Sequence, residues 1–144
     1  MTPVMPNYGP IPKLENFLEE AIKTNYWFYA VVFTAMEVEK YGCDKIRFYL
    51  NSFKDNKPSF TEAILERISL LTVAKCLLEL EFIDKEDYKI ITELNAERNA
   101  CVHRTSGDPH IIGTEATKKL EPLIKKAVTI LKEKLDAEKL FAYC

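Results

Sequence analysis

Cysteine and histidine are too few and too far apart in this chain to form a structural zinc site. The 144 residues include four cysteines and two histidines, with no Cys-x-x-Cys pair, whereas zinc sites draw on closely spaced ligands. Cys76 and Cys101 fall within apolar helical patterns, where a free cysteine behaves as a small hydrophobic residue. We therefore expect a reducing cytoplasm as the setting, and neither a metal nor a cofactor.

The chain also lacks an excess of charge of one sign and a long apolar run. Its 20 basic and 22 acidic residues leave a net charge of -2, which gives no general attraction to nucleic acid or to an anionic membrane. The longest apolar run, 26–36, is shorter than the roughly 20 residues that cross a bilayer. Residues 1–12 have no basic start and no apolar stretch of the signal-peptide type. We expect neither export nor a membrane partner.

Helical periodicity dominates the chain after a proline-rich start. Four prolines among the first twelve residues predict an extended arm over residues 1–13. The remaining residues, 14–144, are enough for one domain with a single core. Apolar residues recur there at three- and four-residue spacing, and no alternating strand pattern occurs. The predicted fold class is all-α, a four- or five-helix up-and-down bundle.

The residues that start and stop helices give the expected boundaries. Gly42 is predicted to end the first helix as a C-cap glycine. Ser59 and Glu62 form a capping-box pattern at the start of the third helix, and Asp84 is predicted to cap the fourth. Pro122 predicts either a kink in the last helix or a helix that begins just before the proline. The expected helices cover residues 14–42, 44–53, 59–80, 85–104 and 114–141.

The first helix is apolar on nearly all sides over 26–36. This pattern predicts either the central helix of the bundle or a helix that also forms a dimer interface. The acidic residues Glu19, Glu20, Glu37 and Glu39 of the same helix are interpreted as a solvated face, because no Glu-x-x-His pair of a di-metal bundle accompanies them.

The most unusual polar residues lie at the end of the fourth helix. Each residue advances about 100° around an ideal helix, so Asn95, Asn99 and His103 form one polar stripe, and Arg98 lies off it, toward the apolar face. The planar, permanently charged fork of an arginine suits a phosphate. A histidine can take and return a proton near neutral pH.

These groups are sufficient for cleaving RNA without a metal. A base removes the proton of the 2′-hydroxyl, a cation stabilises the charge on phosphorus, and an acid protonates the leaving 5′-oxygen. One histidine cannot be base and acid at the same time. The chemistry therefore calls for two copies of His103.

A structural interpretation of the same residues stays open. A histidine at a helix C-terminus is favourable next to the negative end of the dipole. An arginine on a mostly apolar face often pairs with a carboxylate, such as one on the first helix. Arg104 is expected to face solvent or to hold a substrate phosphate, and His110 to be an exposed loop residue.

The segment from Arg98 to His103, Arg-Asn-Ala-Cys-Val-His, resembles the R-x(4 to 6)-H motif of the HEPN superfamily, including the polar residue after the arginine. Its position is similar too: near the end of a late helix, before a loop and one more long helix. The resemblance implies a homodimer whose two motifs meet at the interface and form a metal-independent endoribonuclease, often a toxin or defence effector that an antitoxin protein can accompany. It implies that Arg98 binds phosphate, that His103 performs acid–base chemistry, and that Asn99 orients or binds the substrate.

This chain differs from one subgroup of the superfamily at one position, and the superfamily also includes members with a different function. A subgroup of the superfamily has a tyrosine two residues after the histidine, where this chain has Thr105. Neutralisation by adenylylation of that tyrosine is therefore not expected. Other members lack activity and serve as dimerisation or nucleotide-binding modules, and the acidic overall charge is compatible with that role.

Overall fold

The computed structural model describes residues 20, 23, 27–103 and 114–135, and the side chains of residues 20, 23, 29–100 and 119–135. The predicted arm over 1–13 and the predicted helix end beyond 135 lie outside these ranges. The described part contains helices and no strand, which confirms the all-α class. The helices are α1 (Trp27–Asn51), α2 (Pro58–Leu65), α3 (Leu70–Glu79), α4 (Lys85–His103) and α5 (Thr114–Glu133).

Helix α1 is the centre of the described bundle and packs against α2, α3, α4 and α5. Its inward face contributes six residues to the core: Ala30, Val31, Ala35, Val38, Tyr41 and Ile46. Its outer face is not covered by the described residues, because Tyr29 is 49% exposed and Met36 is 57% exposed. Of the two alternatives for this helix, the central position is present in the structure.

Gly42 does not end the first helix, so the predicted stop is wrong. Helix α1 continues through Gly42 to Asn51 and takes in most of the segment expected as a separate helix. The reason is packing between helices: a Cβ at Gly42 would lie 2.5 Å from Cγ1 of Val73 and 3.2 Å from Cδ1 of Leu77. Glycine is needed here for the close approach of α3, and not for a left-handed backbone.

The predicted helix over 59–80 is two helices, and its predicted capping box is wrong. Lys57 is the N-cap of α2 and makes no side-chain cap bond, while Pro58 takes the first helical position, where its missing N–H costs nothing. A new helix begins after Ser69, which is the N-cap of α3. The Ser69 backbone is extended, and its Oγ accepts a hydrogen bond from the backbone N–H of Thr72 at 3.3 Å. This second start brings four residues into the core: Leu70, Val73, Ala74 and Leu77.

The predicted cap of α4 is confirmed. The backbone N–H of Asp87 donates to Oδ1 of Asp84 at 2.8 Å, and the backbone N–H of Asp84 donates to Oδ2 of Asp87 at 3.1 Å. This reciprocal pair satisfies two N–H groups at the start of the helix. Helix α4 then packs against α1, α3 and α5, with Ile91 and Leu94 fully buried. Its C-terminal turns are thus carried on a well-packed helix.

Helix α5 runs without interruption across Pro122. The alternative in which the helix begins just before the proline is therefore wrong. Four of its residues pack in the core with almost no exposure: Leu120, Ile124, Ala127 and Leu131. None of the helices in the described ranges has the length and apolar character needed to cross a membrane.

Candidate functional site

The last turns of α4 carry the residues that the sequence singles out. Arg98 and His103 both belong to α4, which extends to His103, and five residues correspond to about 7.5 Å along a helix axis. The side chain of His103 lies outside the described residues, and so do Arg104, Thr105 and His110 in full. The described side chains of the predicted site are therefore those of Arg98 and Asn99.

Arg98 is held between α1 and its own helix. Its Nη1 donates to Oε2 of Glu39 at 3.1 Å, and its Nη2 donates to Oδ1 of Asn95 at 2.8 Å. The Arg98 side chain is 21% exposed and that of Glu39 is 36% exposed, so the ion pair lies at the edge of the core. The structural alternative for Arg98, a pairing with a carboxylate of the first helix, is present in the structure.

The predicted polar stripe of α4 is not uniform in burial. Asn95 is only 6% exposed, whereas Asn99, one turn later, is exposed. At about 100° per residue, Asn95 lies about 60° from Arg98 around α4, so the two side chains are neighbours at i, i+3. The stripe therefore passes from the core at Asn95 to solvent at Asn99, and Arg98 lies toward the core as predicted.

The interpretation of the acidic residues as a solvated face is wrong for Glu37 and Glu39. Glu39 binds Arg98, and Oε2 of Glu37 is buried without a hydrogen-bond partner among the described residues. Burial raises the pKa of Glu37 above its usual value, against the opposing effect of the Lys40 charge. Glu20 is exposed, and Glu19 lies outside the described residues.

A second ion pair lies next to Arg98, on the other side of α4. Nζ of Lys119 on α5 is 2.7 Å from Oε1 of Glu97, whose side chain is largely buried. The charges of Arg98, Lys119, Glu39 and Glu97 therefore cancel. A phosphate that binds at this end of α4 has to compete with carboxylates that are already bonded to the cations.

Cys43 follows Glu39 by one turn on α1. Burial raises the pKa of the Cys43 thiol to about 11, and the negative charge of Glu39 adds to this effect. The nucleophilic form of cysteine is the thiolate, and the raised pKa disfavours that form of Cys43 at neutral pH. Glu39 thus acts electrostatically on two side chains, Arg98 and Cys43.

Glu39 and Asn95 bond Arg98, and the sequence singled out neither of them for this contact. The spacing of Asn95 and Arg98 is a local signal that points to their contact. Glu39 is 59 residues from its partner, and no local pattern marks it. In the described ranges, no group of three or more histidine, cysteine, aspartate or glutamate side chains is placed to hold a metal ion.

The chain matches no known protein family, curated protein or solved structure in any of the three comparisons.

Arg98 is a cation that two neighbouring side chains hold in one orientation. A guanidinium carries five N–H donors, and the bonds to Glu39 and Asn95 use two of them. The neutral amide of Asn95 bonds Nη2, and the carboxylate of Glu39, which is an oxyanion, bonds Nη1. The geometry suits recognition of a planar or tetrahedral oxyanion.

Proposed function

We propose that the chain is a HEPN-like, metal-independent endoribonuclease that acts as a homodimer, with Arg98 and His103 of both copies at the interface. One observation supports it above the others: an oriented arginine, bound to an oxyanion through Nη1, lies on the same continuous helix as His103. A cation of the type that suits phosphate and a histidine, a residue type used in acid–base chemistry, thus belong to the last turns of one helix.

The proposed reaction uses both copies of the motif. His103 of one copy removes the proton of the 2′-hydroxyl, which attacks the adjacent phosphorus. Arg98 stabilises the negative charge that develops on the phosphoryl oxygens. His103 of the second copy donates a proton to the departing 5′-oxygen. The products are a 2′,3′-cyclic phosphate and a 5′-hydroxyl, and each histidine ends in the protonation state in which the other began.

Asn99 and Arg104 complete the proposed substrate contacts. Asn99 is exposed next to Arg98 and is assigned to binding RNA, and Arg104 is assigned to a neighbouring phosphate. In the cell the proposed role is that of a cytoplasmic toxin or defence effector, and the proposed partner is an antitoxin protein.

The test is cleavage of RNA by the purified protein in EDTA. We expect fragments that end in a 2′,3′-cyclic phosphate, and we expect His103→Ala and Arg98→Ala to abolish them. The matched control is Arg47→Ala, because Arg47 also bonds a carboxylate, Glu62, at 2.6 Å but lies on the C-terminal part of α1, away from the motif. Circular dichroism verifies that each variant is folded. Cleavage that survives His103→Ala would exclude this site.

A second candidate is a non-catalytic helical module for dimerisation or nucleotide binding. The ion pair between Arg98 and Glu39 favours it, because a carboxylate bonded to the fork gives Arg98 a structural role. In that case Arg98→Ala lowers the free energy of unfolding, no RNA is cut by any variant, and a nucleotide is bound without being turned over.

A further inference from the structure

We infer that Glu39 is a built-in competitor for the anion that Arg98 binds, so that an RNA phosphate displaces the Glu39 carboxylate from the N–H of Nη1 that it occupies. The identity of the ligand as RNA rests on the proposed function. The displacement itself rests on the contacts of Arg98 alone.

The competition follows from the place that the carboxylate occupies. Oε2 of Glu39 lies 3.1 Å from Nη1 of Arg98, within the range in which a phosphate oxygen would accept the same N–H. Two negatively charged oxygens on one N–H repel each other. A phosphate oxygen that accepts this particular N–H therefore requires the Glu39 carboxylate to leave, and a phosphate on a neighbouring N–H of the guanidinium is repelled by it.

Glu39 is able to leave, whereas Asn95 is not. The Glu39 side chain is more than a third exposed, so a change of rotamer takes its carboxylate into water at little cost. Asn95 is buried and bonds Nη2 from one turn earlier on α4. When a phosphate replaces Glu39 at Nη1, the bond from Nη2 to Asn95 still holds the guanidinium in its orientation. Asn95 is neutral and does not repel the phosphate.

The expected strength of the competition is modest. Ion pairs with this degree of exposure contribute up to about 1 kcal/mol, which corresponds to roughly fivefold in a dissociation constant. Glu39 thus weakens binding of anions at Arg98 without preventing it. A phosphate that makes further contacts with the dimer displaces the carboxylate, and an isolated small anion does so less readily.

The experiment measures binding separately from cleavage. The probe is a short, fluorescently labelled 2′-O-methyl RNA, which has no 2′-hydroxyl to attack and cannot be cut by the proposed chemistry. We expect Glu39→Gln to bind it more tightly than the unaltered protein does, by up to about fivefold. A role limited to stability would leave the affinity unchanged or lower it.

Two controls isolate the contact between Glu39 and Arg98. Glu62→Gln removes the same charge from another arginine ion pair, at Arg47, and is expected to leave the affinity unchanged. In an Arg98→Gln background, Glu39→Gln is expected to give no gain. Should Glu39→Gln fail to fold, Glu39→Asp takes its place, because the shorter side chain keeps the charge and loosens the contact with Nη1.

The possible results separate this inference from the proposed function. Cleavage of ordinary RNA without a gain in affinity for Glu39→Gln overturns the inference and leaves the ribonuclease intact. A gain that depends on Arg98, without cleavage, supports the inference and overturns the ribonuclease. An equal gain in Glu62→Gln, or a gain that persists without Arg98, shows a general charge effect and overturns the inference.

Discussion

Oδ1 of Asn95 accepts a hydrogen bond of 2.8 Å from Nη2 of Arg98, one turn further along α4. The amide is buried and the guanidinium is partly exposed, so the pair extends from the core to the surface. Buried polar groups are nearly always bonded, and here each residue provides the partner of the other. The orientation of the arginine toward Glu39 therefore depends on a residue that does not itself reach the surface.

We predict that Asn95→Leu lowers the free energy of unfolding by about 1–3 kcal/mol, because it leaves a partly buried, charged donor without its acceptor. Urea denaturation provides the measurement. The matched control is Asn99→Leu, at an exposed position one turn later, which is expected to change stability by about 0.5 kcal/mol or less. In an Arg98→Met background the cost of Asn95→Leu should shrink, and an undiminished cost would show that the hydrogen bond is not its source.

We predict that Gly42→Ala destabilises the protein, although alanine favours helices by about 1 kcal/mol over glycine. The added Cβ would lie 2.5 Å from Cγ1 of Val73, a fully buried, β-branched side chain that cannot turn aside. Overpacking of this kind costs about 1–3 kcal/mol, so the net loss should be up to about 2 kcal/mol. Thermal unfolding measures it. The double variant Gly42→Ala, Val73→Ala should lose less than the two single variants combined.

Features that depend on neighbouring residues were predictable from the sequence. The helical class follows from spacing that is repeated along the chain, and the cap of α4 follows from Asp84 and its contact with Asp87 three residues later. The inward direction of Arg98 follows from the angle per residue on a helix. Each of these requires knowledge of a few adjacent residues only.

Features that depend on distant residues were not predictable in the same way. The local sequence predicts that Gly42 ends a helix, and only the packing of α3 against it shows why a glycine is there. The local sequence likewise predicts Ser69 within a helix, whereas it is the N-cap of α3. Glu39 and Arg98 are 59 residues apart, so their contact exists only in the assembled bundle. A carboxylate of the first helix was an open alternative as the partner of Arg98, but the sequence did not single out Glu39 for that contact.

We predict that Glu81→Gly stabilises the protein by about 0.5–1 kcal/mol. Glu81 has a φ of 63° and follows the C-cap of α3, where the backbone N–H of Phe82 donates to the carbonyl of Leu77 at 2.9 Å. This is a Schellman motif, in which glycine is preferred at the left-handed position, and relief of strain exceeds the entropic cost of glycine. Urea denaturation tests it. Glu79→Gly, inside α3, is expected to lose about 1 kcal/mol instead.

We predict that the Cys43 thiol reacts with iodoacetamide with a pH midpoint near 11, and that Glu39→Gln lowers this midpoint. Burial raises the thiol pKa from 9.0 to about 11, and the charge of Glu39 contributes. Because the folded-state pKa is the higher one, the contribution of this thiol to stability is complete below pH 9 and is lost as the pH rises through 11. The measurement uses a variant with Cys76, Cys101 and Cys144 replaced by serine. Glu79→Gln is the control and should leave the midpoint unchanged; an equal shift in both variants would contradict a specific effect of Glu39.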